Sequence, residues 1–286
     1  MKFAWIAAHR EEFETAALCR VLAVGASGYY AWRKRKPCAR KQRREKLLNE
    51  IKQVHVASRE TYGAPRVFRE LHSRGVAVCE NTVAKLMRTA EIRPKTVKKF
   101  VPTTTDSKHA HPVADNLLDR KFEAQEPNRK WVADITYIET AEGWLYVAVV
   151  LDLCSRMIVG WSMAEHLKTE LVEDALRMAL QRRNPKSGVL HHSDRGAQYA
   201  CGEYRGLLKA HGLECSMSRT GNCYDNAVLE SFWGKLKTEC VYHEKYATRA
   251  EARLSIFEYI EVFYNRVRRH SSLGYVSPEA FEAALN

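Results

Sequence analysis

No apolar stretch in the 286-residue sequence approaches the roughly 18–20 residues that span a bilayer, so no membrane partner is expected. The opening MKFAWIAAHREEFE is broken by charge too early for a secretory leader, and a cytoplasmic location is expected. Paired cysteines are also missing. The eight cysteines are scattered without a CxxC, which argues against zinc ribbons and fingers, and a chain of this length does not need disulfide staples. His191-His192 and the His109/His111 pair come nearest to metal-ligand spacing, and both fall short in ligand number.

What the sequence has in excess is positive charge, unevenly placed. Through residue 112 there are 24 Lys and Arg against 10 Asp and Glu; the remainder holds 22 against 24. The whole net charge of +12 thus sits in the first two fifths. Such asymmetry suggests a nucleic-acid-gripping front half joined to a near-neutral half with a task of its own.

Residues 1–44 read as one or two short helices followed by a basic run, RKRKPCARKQRREK, in which nine of fourteen positions are Lys or Arg. A basic run by itself can equally be a solvated linker or helix face. Residues 45–93 hold three helical patterns, around LLNEIKQVHVAS, APRVFRELHSRG and VCENTVAKLMRTA, with Gly75 as a stop and Asn81 or a neighbour as a cap. This is the order of a helix-turn-helix, whose last helix would present Thr82, Lys85 and Arg88 to DNA; a plain three-helix bundle has the same pattern. Residues 94–128, with four prolines, read as a linker containing a short helix near Leu117–Phe122.

From Trp131 the pattern changes to WVADITYIET, WLYVAVVLDL and MIVGWSM, three consecutive strands, the first two joined at Ala141-Glu142-Gly143. A helix over about Thr169–Arg183, a strand VLHHSD, a helix over about Gly202–His211 and a strand LECSMS follow. Helices from about Asn226 and from Thr248 close the domain, the latter with a capping-box pattern. A meander followed by alternating helix and strand gives the expected fold class. It is α/β, an RNase H-like mixed five-stranded sheet flanked by helices over residues 129–286, preceded by the all-α helix-turn-helix region.

Three acids stand out by their settings. Alternation places Asp134 on the face shared by Val132, Thr136 and Ile138, an acid within an apolar strand whose burial would be costly without a cation. Asp194 follows the fourth strand in HHSDRGAQY, where Gly196 permits a sharp turn. Glu230 lies in DNAVLESFWGKLKTE, a helix that puts Asn226, Glu230 and Lys237 on one face. Three such carboxylates would repel one another, whereas two Mg²⁺ or Mn²⁺ ions would neutralise them and bind phosphate. The arrangement suits in-line attack on phosphorus by water or by a 3′-hydroxyl. Singly, each acid has an ordinary alternative as strand cap, turn former or solvated helix charge. Asn226 could orient Glu230 or contact DNA, or merely cap its helix, and Trp131, Phe232 and Trp233 read as core packing or, for one of them, as a stack on an unpaired end base. Arg266, Arg268, Arg269 and His270 form a late basic cluster, which reads either as a phosphate contact or as a favourable helix end.

WVADITYI, HHSDRGAQY and SRTGNCYDNAVLESFWGKLKTE, with 35 residues between Asp194 and Glu230, resemble the second reading-frame product of IS3-type transposases, within the retroviral integrase superfamily of DDE enzymes. The tail YNRVRRHSSLGYVSPEAF and the upstream CRVLAVGASGYYAW and YGAPRVFRELHSRGVAVCENTVAKLMR extend that resemblance over nearly the whole chain. It implies a DDE core with Asp134, Asp194 and Glu230 as metal ligands, action on inverted-repeat ends and target DNA, and a circular DNA intermediate. It also implies Lys237 as a phosphate contact and a bacterial, nucleoid-associated setting, and the joining of two DNA ends makes a homo-oligomer, a dimer or larger, the expectation. The family's upstream product carries a leucine zipper. No long heptad run occurs here, so the sequence looks like the downstream product, with the upstream product as partner or fusion. A nuclease that only cuts, and a DNA-binding regulator with an inactive RNase H-like half, are the rival readings.

Overall fold

The computed structural model describes residues 1–35, 38–96, 113–219 and 226–285. His109, His111 and the middle of the expected linker lie outside the described residues. The chain divides into two compact units, Met1–Gln53 and Val54–Asn286.

Met1–Gln53 contains α1 (Lys2–His9), α2 (Thr15–Val21), α3 (Ala26–Lys34) and most of α4 (Ala39–Ala57). Its first three helices close around Ile6, Leu18, Cys19 and Tyr29, all buried. Three helices therefore form where one or two were expected.

In the larger unit, α5 (Ala64–Ser73) and α6 (Glu80–Thr89) pack on Val67, Leu71, Val83, Leu86 and Met87. Pro65 sits in the first turn of α5, where its missing N–H costs nothing. Gly75, at φ +77°, ends the helix, and the Val76 N–H reaches back to the Leu71 carbonyl. The cap of α6 is Cys79 and not Asn81. Thr82, Lys85 and Arg88 are exposed on the outer face of α6.

The sheet consists of β1 (Lys130–Thr140), β2 (Gly143–Asp152), β3 (Ile158–Ala164), β4 (Leu190–Ser193) and β5 (Glu214–Met217), in the order β3-β2-β1-β4-β5. β1, β2 and β3 form an antiparallel meander, and β4 and β5 add in parallel on the far side of β1. The first hairpin turns through Ala141-Glu142, with Thr140 opposite Gly143 at φ +107°. Parallel pairing requires crossovers, supplied by α7 (Thr169–Arg183) before β4 and by α8 (Ala197–Ala200) and α9 (Gly202–Ala210) before β5. Alternation sends Trp131, Ala133, Ala148 and Val150 to the face covered by α7 and α9. α7 approaches β3 closely at Gly160, where a Cβ would lie 2.1 Å from the Ala175 carbonyl oxygen.

The opposite face of β1 and β2 is covered by α10 (Ala227–Glu239) and α11 (Arg249–Phe257). Thr248 and Glu251 form the reciprocal capping box at the start of α11. α11 continues into a π-helical segment, Glu258–Tyr264, and α12 (Pro278–Ala283) ends the described chain.

Residues Leu117–Phe122 are not helical. Leu118 is buried, and the Leu117 and Leu118 N–H groups both donate to Ser216 Oγ of β5, so tertiary anchoring replaces the expected helix. No helix of the described residues is long and apolar enough to cross a membrane.

Candidate active site

The pairing of β1 with β4 runs from Lys130↔Leu190 to Val132↔His192 and then stops. Two residues beyond that last pair come Asp134 on β1 and Asp194 on the departing chain. The register alone thus brings the two acids to the same level, where the strands part.

Each carboxylate is held. Asp134 Oδ2 accepts a hydrogen bond from Trp233 Nε1 at 3.0 Å, and Oδ1 from the Ile135 N–H at 2.9 Å. Asp194 Oδ1 accepts from the Gly196 N–H at 2.9 Å. A Cβ at Gly196 would lie 3.1 Å from that same oxygen, so glycine keeps the turn tight around the acid. Burial, and next to it the charge of Asp194, pushes the Asp134 carboxyl up to about 7. The Trp233 hydrogen bond offsets this only in part.

Glu230 lies in the first turn of α10, whose Trp233 touches Asp134. It is exposed, and among the Asp134 neighbours its charge acts last. Among the described residues, no three His, Cys, Asp or Glu side chains converge closely enough to hold a metal ion as they stand. The structure therefore brings Asp134 and Asp194 together and leaves Glu230 beside them, open to solvent. Lys237, two turns further along α10, places Nζ 5.4 Å over the Tyr137 ring and lies near enough to Asp134 to feel its charge. Asn226 is buried at the N-cap of α10 and makes no side-chain cap bond.

The late arginines differ from the sequence expectation. Arg268 is 1 % exposed and donates from Nε and Nη2 to the Glu239 carboxylate, which also accepts from Tyr259 Oη. Arg269 donates to Glu70 Oε2 at 2.7 Å, to Ser73 Oγ and to the Tyr275 carbonyl. Neither is a free cation for DNA; both close the C-terminal segment onto the rest of its unit. The π-helical turns explain the error. The Asn265 N–H reaches the Ile260 carbonyl and the Arg268 N–H the Phe263 carbonyl, each five residues back, so Arg268 rotates inward from where a 3.6-residue repeat puts it. Arg266 is exposed.

His191 and His192 are fully buried parts of β4. His192 uses both ring nitrogens on Ser216 Oγ and Ser218 Oγ, and His191 Nε2 pairs with Tyr204 Oη. Burial pushes His191 down to about 3, so its ring stays neutral, and both rings act as hydrogen-bonding struts between β4 and its neighbours.

Sequence reasoning missed two residues at the site. The sequence offers Trp233 core packing or base stacking; it does pack, yet its indole N–H also orients Asp134. Tyr199, on α8 one turn after Asp194, is buried close enough to feel both acids, and its hydroxyl has no partner among the described residues. The motif HHSDRGAQY contained it, but nothing in its spacing marked it. Trp131, by contrast, is core, its Nε1 donating to buried Asp152.

A meander-first mixed sheet with acids where β1 and β4 part defines the integrase-core class of DNA strand-transferring enzymes. Two models described as "Integrase core domain" match residues 124–223 and 211–278, and one described as "HTH-like domain" matches 42–100. The chain is similar to the Insertion element IS600 uncharacterized 31 kDa protein of Shigella sonnei, with 48% identity covering 92% of this chain and 97% of the relative. It is similar to Transposase InsF for insertion sequence IS3A of Escherichia coli (strain K12), with 45% identity covering 99% of this chain and 98% of the relative. Among solved structures, the catalytic core domain of BIV integrase matches at TM-score 0.42 and 16% identity, covering 55% of this chain and 95% of that one. The chain belongs to the IS3-family transposases and is a DNA transposase with an integrase core and an HTH-like DNA-binding region.

Proposed function

We propose that Asp134, Asp194 and Glu230 together bind two divalent cations, Mg²⁺ or Mn²⁺, and that this site cuts the 3′ ends of an insertion sequence and joins them to target DNA. The observation that carries the reading is the paired Asp134 and Asp194, two carboxylates held in fixed orientations at the same level where β1 and β4 part. Burial, and next to it the charge of Asp194, holds the Asp134 carboxyl up at about 7, and a hard cation that takes oxygen ligands would offset both. Glu230 would complete the ligand set from α10.

When bound, such ions polarise the scissile phosphate and ease deprotonation of the attacking hydroxyl. The chain supplies orientation. Trp233 and the Ile135 N–H fix Asp134, and the Gly196 N–H fixes Asp194. Lys237 holds a phosphate of the reacting end, and Asn226 at the start of α10 orients Glu230 or a DNA group. In joining, a 3′-oxygen forms a new P–O bond as the old one breaks, and the proton of the attacker passes to the departing 3′-oxygen, so no covalent enzyme intermediate is needed. Thr82, Lys85 and Arg88 on α6, together with exposed Arg266, contact the inverted-repeat ends or their flanks.

Residues 1–44, 45–93, 94–128 and 129–286 are proposed as functional segments: an N-terminal helical and basic segment, a helix-turn-helix-like DNA-binding domain, a linker, and an RNase H-like catalytic domain with a C-terminal helical tail. Synapsis of two ends calls for a homo-oligomer, and the upstream reading-frame product is its natural partner or fusion, acting on the bacterial nucleoid in the cytoplasm. The test incubates purified protein with labelled duplexes bearing the element's end and Mg²⁺ or Mn²⁺, with and without the upstream product. Joined products that vanish in Asp134→Asn support the proposal. Cutting without joining would instead make this a nuclease, and binding without either a regulator.

A further inference from the structure

The HTH-like match begins at residue 42, and the sequence expectation likewise placed DNA reading in 45–93. Nothing assigns a role to the three helices before it. Yet α2 and α3 are joined by only four residues, Leu22-Ala23-Val24-Gly25, whereas α5 and α6 are separated by the six residues 74–79. A helix-turn-helix that enters a DNA groove uses a three- to four-residue turn, and by that measure α2–α3 is the tighter match.

The turn is well specified. Ala23 takes the left-handed conformation at φ +49°, the Ala23 N–H returns to the Arg20 carbonyl, and the Val24 N–H returns to the Cys19 carbonyl at 3.0 Å. This is the same stop that Gly75 makes at the end of α5, here made by alanine against its steric preference. Leu18 and Cys19 from α2 and Tyr29 from α3 are buried together, with Leu22 and Val24 of the turn packed on them. α1 braces the pair: Phe3 packs on Tyr29 and Trp32, and Lys2 Nζ donates to the Leu22 carbonyl at the end of α2.

What this packing leaves outside is the opposite face of α3. Ser27, Tyr30, Ala31 and Lys34 are exposed at steps of three, one and three, a single helical stripe; Tyr30 is 46% exposed whereas adjacent Tyr29 is 0%. Arg33 and Arg35 flank the stripe, and Arg40, Lys41, Arg43 and Arg44 are exposed at the start of α4. Met1–Gln53 carries 13 Lys and Arg against 5 Asp and Glu, and three of those acids, Glu11, Glu12 and Glu14, lie before α2, off α3.

We propose that residues 15–34 are a second DNA-reading helix-turn-helix. In it α3 lies in the major groove of duplex DNA, Ser27 and Tyr30 face base edges, and Lys34, Arg33 and Arg35 contact phosphates. The charge of the surface and the hydrogen-bonding side chains of its stripe commit it to a nucleic-acid duplex and not to a protein partner. The transposase would then read its substrate at two separate elements, one through α3 and one through α6. This inference stands apart from the metal site.

The test uses the full chain in chelator, so that binding is read without cutting, and a duplex library with a randomised central segment. Wild type should enrich two sequence elements. Tyr30→Ala should erase one of them and weaken binding to the enriched duplex roughly ten-fold, while Lys85→Ala affects the other. Lys34→Gln, an exposed change with no bearing on folding, should weaken all duplexes alike and reduce the salt slope by about one. Enrichment of a single element lost only in Lys85→Ala, or Tyr30→Ala and Lys34→Gln chains that bind and select like wild type, would overturn the proposal. Because no catalysis is measured, a chain inactive in joining still gives a decisive answer.

Discussion

At the scale of the residue, the site turns on how Asp134 is held. Its carboxylate lies on the strand face shared by Val132, Thr136 and Ile138, and among the described residues the side chain that donates to it, Trp233, comes from α10. Trp233→Phe keeps the ring in the core and removes only the N–H. We expect strand transfer to fall roughly 10–100-fold, with a higher Mg²⁺ concentration needed for half-activity; an unchanged metal titration would show the indole to be packing alone. Lys237→Ala should weaken binding of the element's end while leaving the metal titration where it was, and unimpaired strand transfer would remove Lys237 from the site. Asp134 and Asp194 were legible because each sits where an acid is out of place, in an apolar strand and before a glycine turn. Tyr199 and the second role of Trp233 were not, because an aromatic beside an acid in sequence has no marker that separates contact from packing.

At the scale of the element, the meander was legible by alternation and the mixed sheet by the helices between its later strands, whereas the order β3-β2-β1-β4-β5 is seen only in the structure. The short helix expected at Leu117–Phe122 failed because Ser216 of β5 takes its amides, a tertiary choice no local propensity records. The arginine cluster failed for a different reason. The π-helical turns after α11 carry Arg268 inward onto Glu239 and aim Asn265 at Ile158, where the side-chain amide bonds both backbone groups of edge strand β3. A reading at 3.6 residues per turn cannot see that rotation. Arg268→Ala strands a buried carboxylate and should cost about 3–5 kcal/mol in urea unfolding, with the salt slope of DNA binding unchanged. A lowered slope with full stability would return Arg268 to the DNA.

At the scale of the whole molecule, the uneven charge visible in the sequence now has particular carriers: the outer faces of α3 and α6 and the start of α4. Stability should also have an acid limit. Burial drives His191 down to about 3, and burial with the nearby charges of Arg268, Lys235, Arg66 and Arg156 drives His270 down to about 2. Both stay neutral in the fold while the unfolded chain takes up protons below about pH 6.5, so stability is full above that pH and declines as pH falls through it. The two histidines together should cost about 2–3 kcal/mol between pH values of about 7.5 and 5.5. His270→Phe, which keeps the ring against Tyr264, should halve that slope in unfolding titrations; an unaltered slope would mean that His270 charges freely in the folded protein. The central claim, that Asp134, Asp194 and Glu230 bind the ions that support joining, is tested most directly by exchanging each in turn for cysteine and comparing metals. A thiolate ligand disfavours Mg²⁺ and favours softer ions such as Zn²⁺ or Cd²⁺. The expected result is joining lost with Mg²⁺ and partly restored by a softer ion at all three positions. Full Mg²⁺ activity in any one of the three cysteine variants would contradict it.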